Sequence, residues 1–134
     1  MPPLYLLDTN TVSAVMADDP KVKARLTLRP TIVTCAIVRG EVRYGLERLP
    51  VGKRRTNLEQ KATMVFAPLP ILPITSAVGD IYGRSRRSLE MQGFNLSDND
   101  LWIAATALSL GAVLVSNDQA FSHVPGLTVE DWTV

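Results

Sequence analysis

Short apolar runs alternate with amphipathic segments along this chain of 134 residues. Four runs have the length and the polar boundaries of buried strands, and a weaker fifth lies near the C-terminus: 4–7, 31–34, 71–74, 112–115 and 127–129. Apolar residues recur at helical spacing over 35–49, 56–66, 76–93 and 97–110. Strands that alternate with helices predict a parallel sheet covered by helices on both faces. The sequence contains no repeat, low-complexity segment or linker, so we expect one α/β domain spanning 1–134.

The ends of the predicted helices carry stop and start signals. Pro50 and Gly52 end the first helix, and Gly93 is a natural left-handed cap for the third. The fourth helix has Ser97 as its expected N-cap and ends at Gly111.

Composition narrows the class of protein and of site. With 46% hydrophobic residues, 20% charged residues and a net charge of +1, the chain has enough apolar surface to fold around a core. One cysteine and one histidine exclude an internal disulfide and an ordinary Cys/His zinc site. We interpret Cys35 as a small core residue at a strand–helix junction and His123 as a polar surface residue in a loop.

The first residues do not resemble a targeting segment. The chain begins without a basic region and reaches Asp8 after a few apolar residues, unlike a signal peptide. No apolar run is long enough to span a bilayer. The sequence therefore predicts a cytoplasmic protein with no membrane partner.

Two aspartates follow predicted strands. Asp8 comes directly after the first strand, and Asp118 follows the fourth strand after Ser116 and Asn117. The carboxyl ends of parallel strands are the edge at which open α/β sheets bind ligands. Each aspartate could instead simply cap the turn or helix that follows, and at this point both interpretations stay open.

Two further acids occupy apolar helix stripes. Glu41 lies on the inward stripe of the 35–49 helix, and Asp100 lies on that of the 97–110 helix. A lone buried carboxylate costs several kcal/mol unless it is paired, protonated or metal-bound. A salt bridge to Arg43 or Arg48 would explain Glu41, and exposure at a helix N-terminus would explain Asp100. The alternative is that all four acids converge on Mg²⁺ or Mn²⁺, which prefer oxygen ligands.

Basic residues form two groups in the sequence. The clustering fits either a solvated helix face followed by a basic loop at 53–55, or a surface that contacts phosphates. The candidate RNA-binding residues are Arg39, Arg43, Lys53, Arg54 and Arg55 in one group, with Arg48 beside them, and Arg84, Arg86 and Arg87 in the other.

Four ordered motifs and the C-terminal segment together resemble the PIN-domain ribonucleases, and most closely their VapC-type toxins. The segments are 6–10 (LLDTN), 39–46 (RGEVRYGL), 100–105 (DLWIAA), 114–121 (LVSNDQAF) and 124–132. Each motif alone is weak, but four in this order and spacing are specific, and the resemblance covers essentially the whole chain.

The resemblance implies a three-layer α/β/α fold around a five-stranded parallel sheet. It also implies that the acids Asp8, Glu41, Asp100 and Asp118 hold Mg²⁺, with Mn²⁺ equally suited to such ligands. Thr9, Asn10 and Ser116 match polar positions beside those acids. Asp98 is a neighbouring acid, but the spacing to the Ile-Ala-Ala segment selects Asp100.

The implied activity is hydrolysis of RNA by a metal-dependent endoribonuclease, leaving a 3′ hydroxyl and a 5′ phosphate. As a toxin, the chain would form a homodimer and be silenced by a small antitoxin whose basic side chain enters the acidic site. Because the net charge is only +1, selectivity is expected from RNA shape, which favours tRNA first and ribosomal RNA second.

Three alternatives are open at this point. The segment 8–11 (DTNT) is similar to the start of haloacid-dehalogenase-like phosphatases, although Asn10 replaces their second aspartate. A receiver domain also has an aspartate at a strand end, but it needs a lysine that the Ser116–Asp118 segment does not supply. The third alternative is a PIN domain that binds without catalysis.

Overall fold

The computed structural model describes residues 2–28 and 30–134, so Met1 and Arg29, which fall within the predicted domain span, lie outside the described residues. In these described ranges, five strands form one parallel sheet in the order β3-β2-β1-β4-β5. The strands are β1 (Leu4–Leu7), β2 (Thr31–Cys35), β3 (Ile71–Leu72), β4 (Val113–Val115) and β5 (Val129–Glu130). The predicted α/β class with a five-stranded parallel sheet is confirmed.

Among residues 2–28 and 30–134, six α-helices accompany the sheet, and their caps follow the sequence signals. They are α1 (Thr9–Met16), α2 (Pro20–Leu26), α3 (Ala36–Glu47), α4 (Lys53–Phe66), α5 (Ser76–Gln92) and α6 (Asp98–Leu110). Ser97 caps α6 by accepting a hydrogen bond from the Asp100 amide at 3.2 Å. Gly93 and Gly111 end α5 and α6 at φ 79° and 63°, the left-handed region that glycine adopts without strain.

The periodicity did not predict α1 and α2. These helices have 8 and 7 residues, too few for an apolar stripe to repeat. Their start signals are present, because Asp8 caps α1 and Asp19 caps α2 ahead of Pro20.

The prediction of a loop at 53–55 is wrong, because these residues form the first turn of α4 rather than the segment before it. Three cations at a helix N-terminus oppose the helix macrodipole, which is why the sequence does not look like a helix start. Arg55 offsets this with ion pairs to Glu47 and Glu59.

The two edge strands coincide with only part of the apolar runs that predicted them. The run 71–74 pairs with β2 only at Ile71 and Leu72, and Pro73 has no amide with which to continue the ladder. The run 127–129 contributes only Val129, which with Glu130 pairs with β4. Both strands lie at the edges of the sheet.

The core lies between the central strands and the inward faces of α1, α3 and α6. Its strand residues are fully or almost fully buried, as are Val12, Val38, Leu46, Ile103 and Ala104 on the helices. Cys35 is buried at the β2–α3 junction, as predicted. Across residues 2–28 and 30–134, no helix is both long and apolar enough to cross a membrane.

Hydrogen bonds fix the carboxyl ends of the three central strands relative to one another. The Asp8 amide and the Thr11 hydroxyl both donate to the carbonyl of Val115, at 3.1 and 2.9 Å. The buried hydroxyl of Thr34 donates to the carbonyl of Leu7 at 2.8 Å. The connection after β1 leads to β2 on one side and the connection after β4 leads to β5 on the other, so a crevice opens between the carboxyl ends of β1 and β4.

Candidate active site

Asp8 lies at the carboxyl end of β1 and is buried, with 4% of its surface exposed. Its Oδ1 accepts the Thr11 amide at 2.8 Å, so it does cap α1. Burial raises the pKa of this carboxyl, and the negative charge of Asp118 acts in the same direction, against hydrogen bonds from Ser116 and Thr11. Capping therefore does not account for the whole environment of Asp8, because a second carboxylate lies nearby.

Asp118 follows the carboxyl end of β4, three residues after Val115. Its Oδ1 accepts the Ala120 amide at 2.9 Å, and its own amide donates to the Ser116 hydroxyl at 3.0 Å. Leu7 and Val115 are register partners, so the residues after them meet at one edge of the sheet. The side-chain amide of Asn10 donates to the side-chain oxygen of Asn117 at 3.2 Å and joins the two segments.

Glu41 projects from α3 and is half-buried. The salt bridge that could have explained it is not formed: Arg43 binds Glu47 and Glu59 instead, and Arg48 lies over the ring of Tyr44. Neutral groups hold its carboxylate. The Thr9 hydroxyl donates to Oε1 at 2.6 Å, and the side-chain amide of Asn99 donates to Oε2 at 3.4 Å.

Asp100 lies in the first turn of α6 and is also half-buried. Burial raises the pKa of its carboxyl, opposed by a hydrogen bond with Ser97, and the negative charges of Glu41, Asp118 and Asp8 raise it further. Glu41, Asp118 and Asp8 therefore lie close enough to Asp100 for their charges to act on its carboxyl, and we call these four acids the acidic cluster.

Asp98 is a separate group despite its closeness in sequence. Its exposed carboxylate accepts hydrogen bonds from Tyr82 at 2.7 Å and from Arg86 at 3.1 Å. Tyr82 also stacks on Trp102, with ring centroids 3.9 Å apart, so Trp102 packs against its own chain.

The acidic cluster suits a hard cation, although it is not a closed cage. Within the described ranges, no three Asp, Glu, His or Cys side chains lie close enough to form a ready-made metal site. Mg²⁺ rarely needs one, because it keeps several waters and is commonly held by one or two carboxylates together with substrate phosphates. A donor set made only of carboxylate oxygens fits Mg²⁺ or Mn²⁺ and disfavours softer ions.

The structure divides the candidate RNA-binding cations into two sets. Four are engaged by acids and one by an aromatic ring: Arg43 and Arg55 bind Glu47 and Glu59, Arg86 binds Asp98 and Glu90, Arg87 binds Glu90, and Arg39 lies over Phe66. Within the part of the chain that the structure describes, Lys53, Arg54 and Arg84 form no ion pair and are exposed. Their charges are available to a phosphate backbone, as is that of Arg39, because contact with an aromatic ring does not neutralise a guanidinium.

Sequence reasoning missed three polar residues of the site. Thr11 fixes the Asp8 carboxylate and the end of β4, Asn99 binds Glu41, and Asn117 binds Asn10. Each is adjacent in sequence to an acid or to a predicted polar residue, and this adjacency is the signal by which the sequence could have indicated it. The sequence does not show the distant residues with which each one forms hydrogen bonds. His123, predicted in a loop, instead ends a 3-10 helix and stacks on Phe94, with ring centroids 3.6 Å apart.

Comparison with known proteins identifies the family. The PIN domain family matches residues 5–127. Ribonuclease VapC2 of Rickettsia felis is 31% identical over 134 residues, covering 96% of this chain and 98% of the relative. Ribonuclease VapC1 of Haemophilus influenzae is 30% identical over 138 residues, covering 97% and 98%. The chain therefore belongs to the PIN-domain family and, by these relatives, to its VapC ribonuclease branch.

A solved structure agrees with this assignment. The crystal structure of VapBC2 from Rickettsia felis bound to a DNA fragment from their promoter is similar to the present fold with a TM-score of 0.87 and 29% identity, covering 96% of this chain and 98% of the matched one. The phosphatase and receiver-domain alternatives are excluded by the family assignment. A PIN domain without catalysis is the alternative that an activity assay must test.

Proposed function

We propose that this chain is a Mg²⁺-dependent endoribonuclease that cleaves structured RNA, tRNA first and ribosomal RNA second, and acts as the toxin of a toxin–antitoxin pair. One observation carries the proposal. Acids from four different parts of the chain meet at the switch point of the sheet, where three of them raise the pKa of Asp100. Keeping such a cluster ionised is costly, and a cation offsets that cost.

The chemistry follows from the donor set. A bound divalent cation lowers the pKa of water and neutralises charge on the phosphate. Asp8, Asp100 and Asp118 are proposed to hold it, while Glu41 either binds it or orients the attacking water as a general base. Cys35 is buried, and the carboxylates of the acidic cluster are the groups proposed to accept a proton.

The charge distribution supports a shape-selective substrate. A cluster of four acids repels RNA, and exposed cations that form no ion pair among the described residues, including Lys53, Arg54 and Arg84, can attract it. With a net charge of +1, non-specific attraction is weak. Selection is then left to the shape of single-stranded loops within folded RNA.

The test is cleavage of tRNA, ribosomal RNA and messenger RNA by the purified chain with Mg²⁺, with Mn²⁺ and with chelator. We expect one or a few cuts with 5′-phosphate ends, abolished by chelator and by Asp100→Asn but retained by Asp98→Asn, the matched control in the same helical turn. Cleavage that survives Asp100→Asn would contradict the site. RNA binding without any cutting would support the non-catalytic PIN alternative.

A groove supports the proposal of an antitoxin partner. Apolar side chains of α1, α2 and α4 line a cavity of about 440 Å³, including Val15, Leu26, Val65 and the 75% exposed Met64. The similar solved structures include VapBC complexes. We propose that an apolar segment of the antitoxin fills this groove while one of its basic side chains enters the acidic cluster.

Two methionines of equal exposure provide the test. Met64, in the groove, is 75% exposed, and Met91, on α5, is 74% exposed. When the chain is co-expressed with the protein encoded by the neighbouring small gene, Met64→Asp should reduce co-purification of that protein and leave growth arrested. Met91→Asp should retain the protein and permit growth. Equal retention of the antitoxin by both variants would refute the groove assignment. Size-exclusion chromatography with light scattering checks the proposed homodimer.

A further inference from the structure

The carboxylate of Glu41 is held at both of its oxygens by neutral donors from two other helices. Thr9 is the first residue of α1 and donates to Oε1 at 2.6 Å. Asn99 is the second residue of α6 and donates to Oε2 at 3.4 Å. The contacts join residues 32 and 58 positions apart in sequence, so the sequence pattern does not reveal them.

The two donors are the sequence neighbours of two other acids. Thr9 follows Asp8, and Asn99 precedes Asp100. One carboxylate therefore links the backbone segments that carry two other members of the acidic cluster. Any shift of α3 relative to α1 or α6 breaks one of these hydrogen bonds.

Within residues 2–28 and 30–134, no lysine or arginine forms an ion pair with this carboxylate. In the described ranges, the two arginines that flank it on α3 are directed elsewhere, Arg39 over Phe66 at 5.4 Å and Arg43 to Glu47 and Glu59. Neutral donors fix the orientation of a carboxylate without cancelling its charge. The carboxylate of Glu41 is thus not engaged by either flanking arginine and faces a ligand in the crevice without an ion-pair partner there.

The geometry points to Thr9 and Asn99 as positioning residues that together orient Glu41 for a divalent cation and for the water it serves. The inference rests on the proposed function of the acidic cluster and adds Asn99 to it in a defined role. Groups that orient a metal-ligating side chain typically contribute 10- to 100-fold in metal affinity or activity. Asn99 is exposed and Thr9 is half-buried, so both can be changed without opening the core.

The test uses thermal melting of the RNA-free protein across a Mn²⁺ titration, followed by single-site cleavage kinetics. The double variant Thr9→Val/Asn99→Ala should need about 10- to 100-fold more Mn²⁺ for half of the maximal shift in Tm. Its kcat should fall by a similar factor, with the KM for RNA unchanged within about twofold, because the exposed cations are untouched. With Asn99 unchanged, Thr9→Val removes one donor and should shift both quantities in the same direction, whereas Thr9→Ser keeps the hydroxyl and should leave both at their wild-type values. Asn95→Ala is the matched control for an exposed asparagine.

The outcomes separate this inference from the proposed function. A lower Tm without Mn²⁺, together with an unchanged Mn²⁺ midpoint and kcat, would mean that the two residues only support the fold. Thr9→Ser behaving like Thr9→Val would equally overturn the role of the hydroxyl. If the wild-type chain responds to Mn²⁺ but cleaves no RNA, the proposed function fails, while the Mn²⁺ midpoints of the variants still decide the inference.

Discussion

Replacing Asp100 by asparagine changes the charge of the acidic cluster with almost no change in shape. Burial and the charges of Glu41, Asp118 and Asp8 raise the pKa of Asp100 above its ordinary value of 3.8, against the hydrogen bond with Ser97. When the pKa of a carboxyl is higher in the folded than in the unfolded protein, the free energy of unfolding falls as pH rises from the unfolded pKa through the folded one. Asp100→Asn should therefore raise the Tm of the cation-free protein at pH 7, and the gain should vanish as pH falls below about 4.

The response to a cation should change in the opposite direction. At a concentration of 100 times its Kd, a ligand stabilises the native state by about 2.7 kcal/mol. For 134 residues the unfolding entropy is about 0.28 kcal/mol per degree, so saturating Mn²⁺ should raise the wild-type Tm by about 10 °C. If the loss of one carboxylate weakens Mn²⁺ affinity tenfold or more, the stabilisation by Mn²⁺ falls by at least about 1.4 kcal/mol. The Mn²⁺-induced rise in Tm then falls to about 5 °C or less.

Scanning calorimetry at pH 7 and at pH values down to 3.5, with chelator or with Mn²⁺, measures both effects on one sample. Asp98→Asn is the matched control, because that carboxylate binds Arg86 and Tyr82 outside the cluster. It should neither gain cation-free stability nor lose the Mn²⁺ shift. A lower cation-free Tm in Asp100→Asn, combined with a full Mn²⁺ shift and unchanged RNA cleavage, would show that Asp100 has a structural role and would refute the reasoning.

Two further predictions concern RNA attraction and the sheet edge. Arg54→Ala should reduce the slope of log affinity for RNA against log salt concentration by about 0.7, the value for one lost contact to a single strand, whereas Arg55→Ala should leave the slope unchanged because two glutamates already bind that guanidinium. Equal slopes for both variants would contradict the division of the cations. Thr34→Val removes a buried hydrogen bond to the Leu7 carbonyl, which should cost about 1–3 kcal/mol and lower the Tm by about 4–10 °C, as measured by thermal melting. Thr63→Val, which removes an exposed hydrogen bond on α4, should change the Tm by much less.

The sequence alone determined the main elements of the fold and the members of the acidic cluster. Strand and helix periodicities are local properties, since they depend on which residues a single element must bury. The positions of Asp8 and Asp118 after strands followed from the same patterns. Glu41 and Asp100 were identified because a carboxylate on an apolar stripe is costly unless something compensates it.

Only the tertiary structure decided which partners these residues have. The order β3-β2-β1-β4-β5, which brings Asp8 beside Asp118, depends on how connections cross the sheet and not on any single segment. The neutralisation of Arg55 by glutamates on two helices has the same origin, because charge in a sequence does not show its counter-ion. The two-sided support of Glu41 by Thr9 and Asn99 spans three helices. Side-chain hydrogen bonds act over about 3 Å, so only packing that brings distant segments together can make or withhold them.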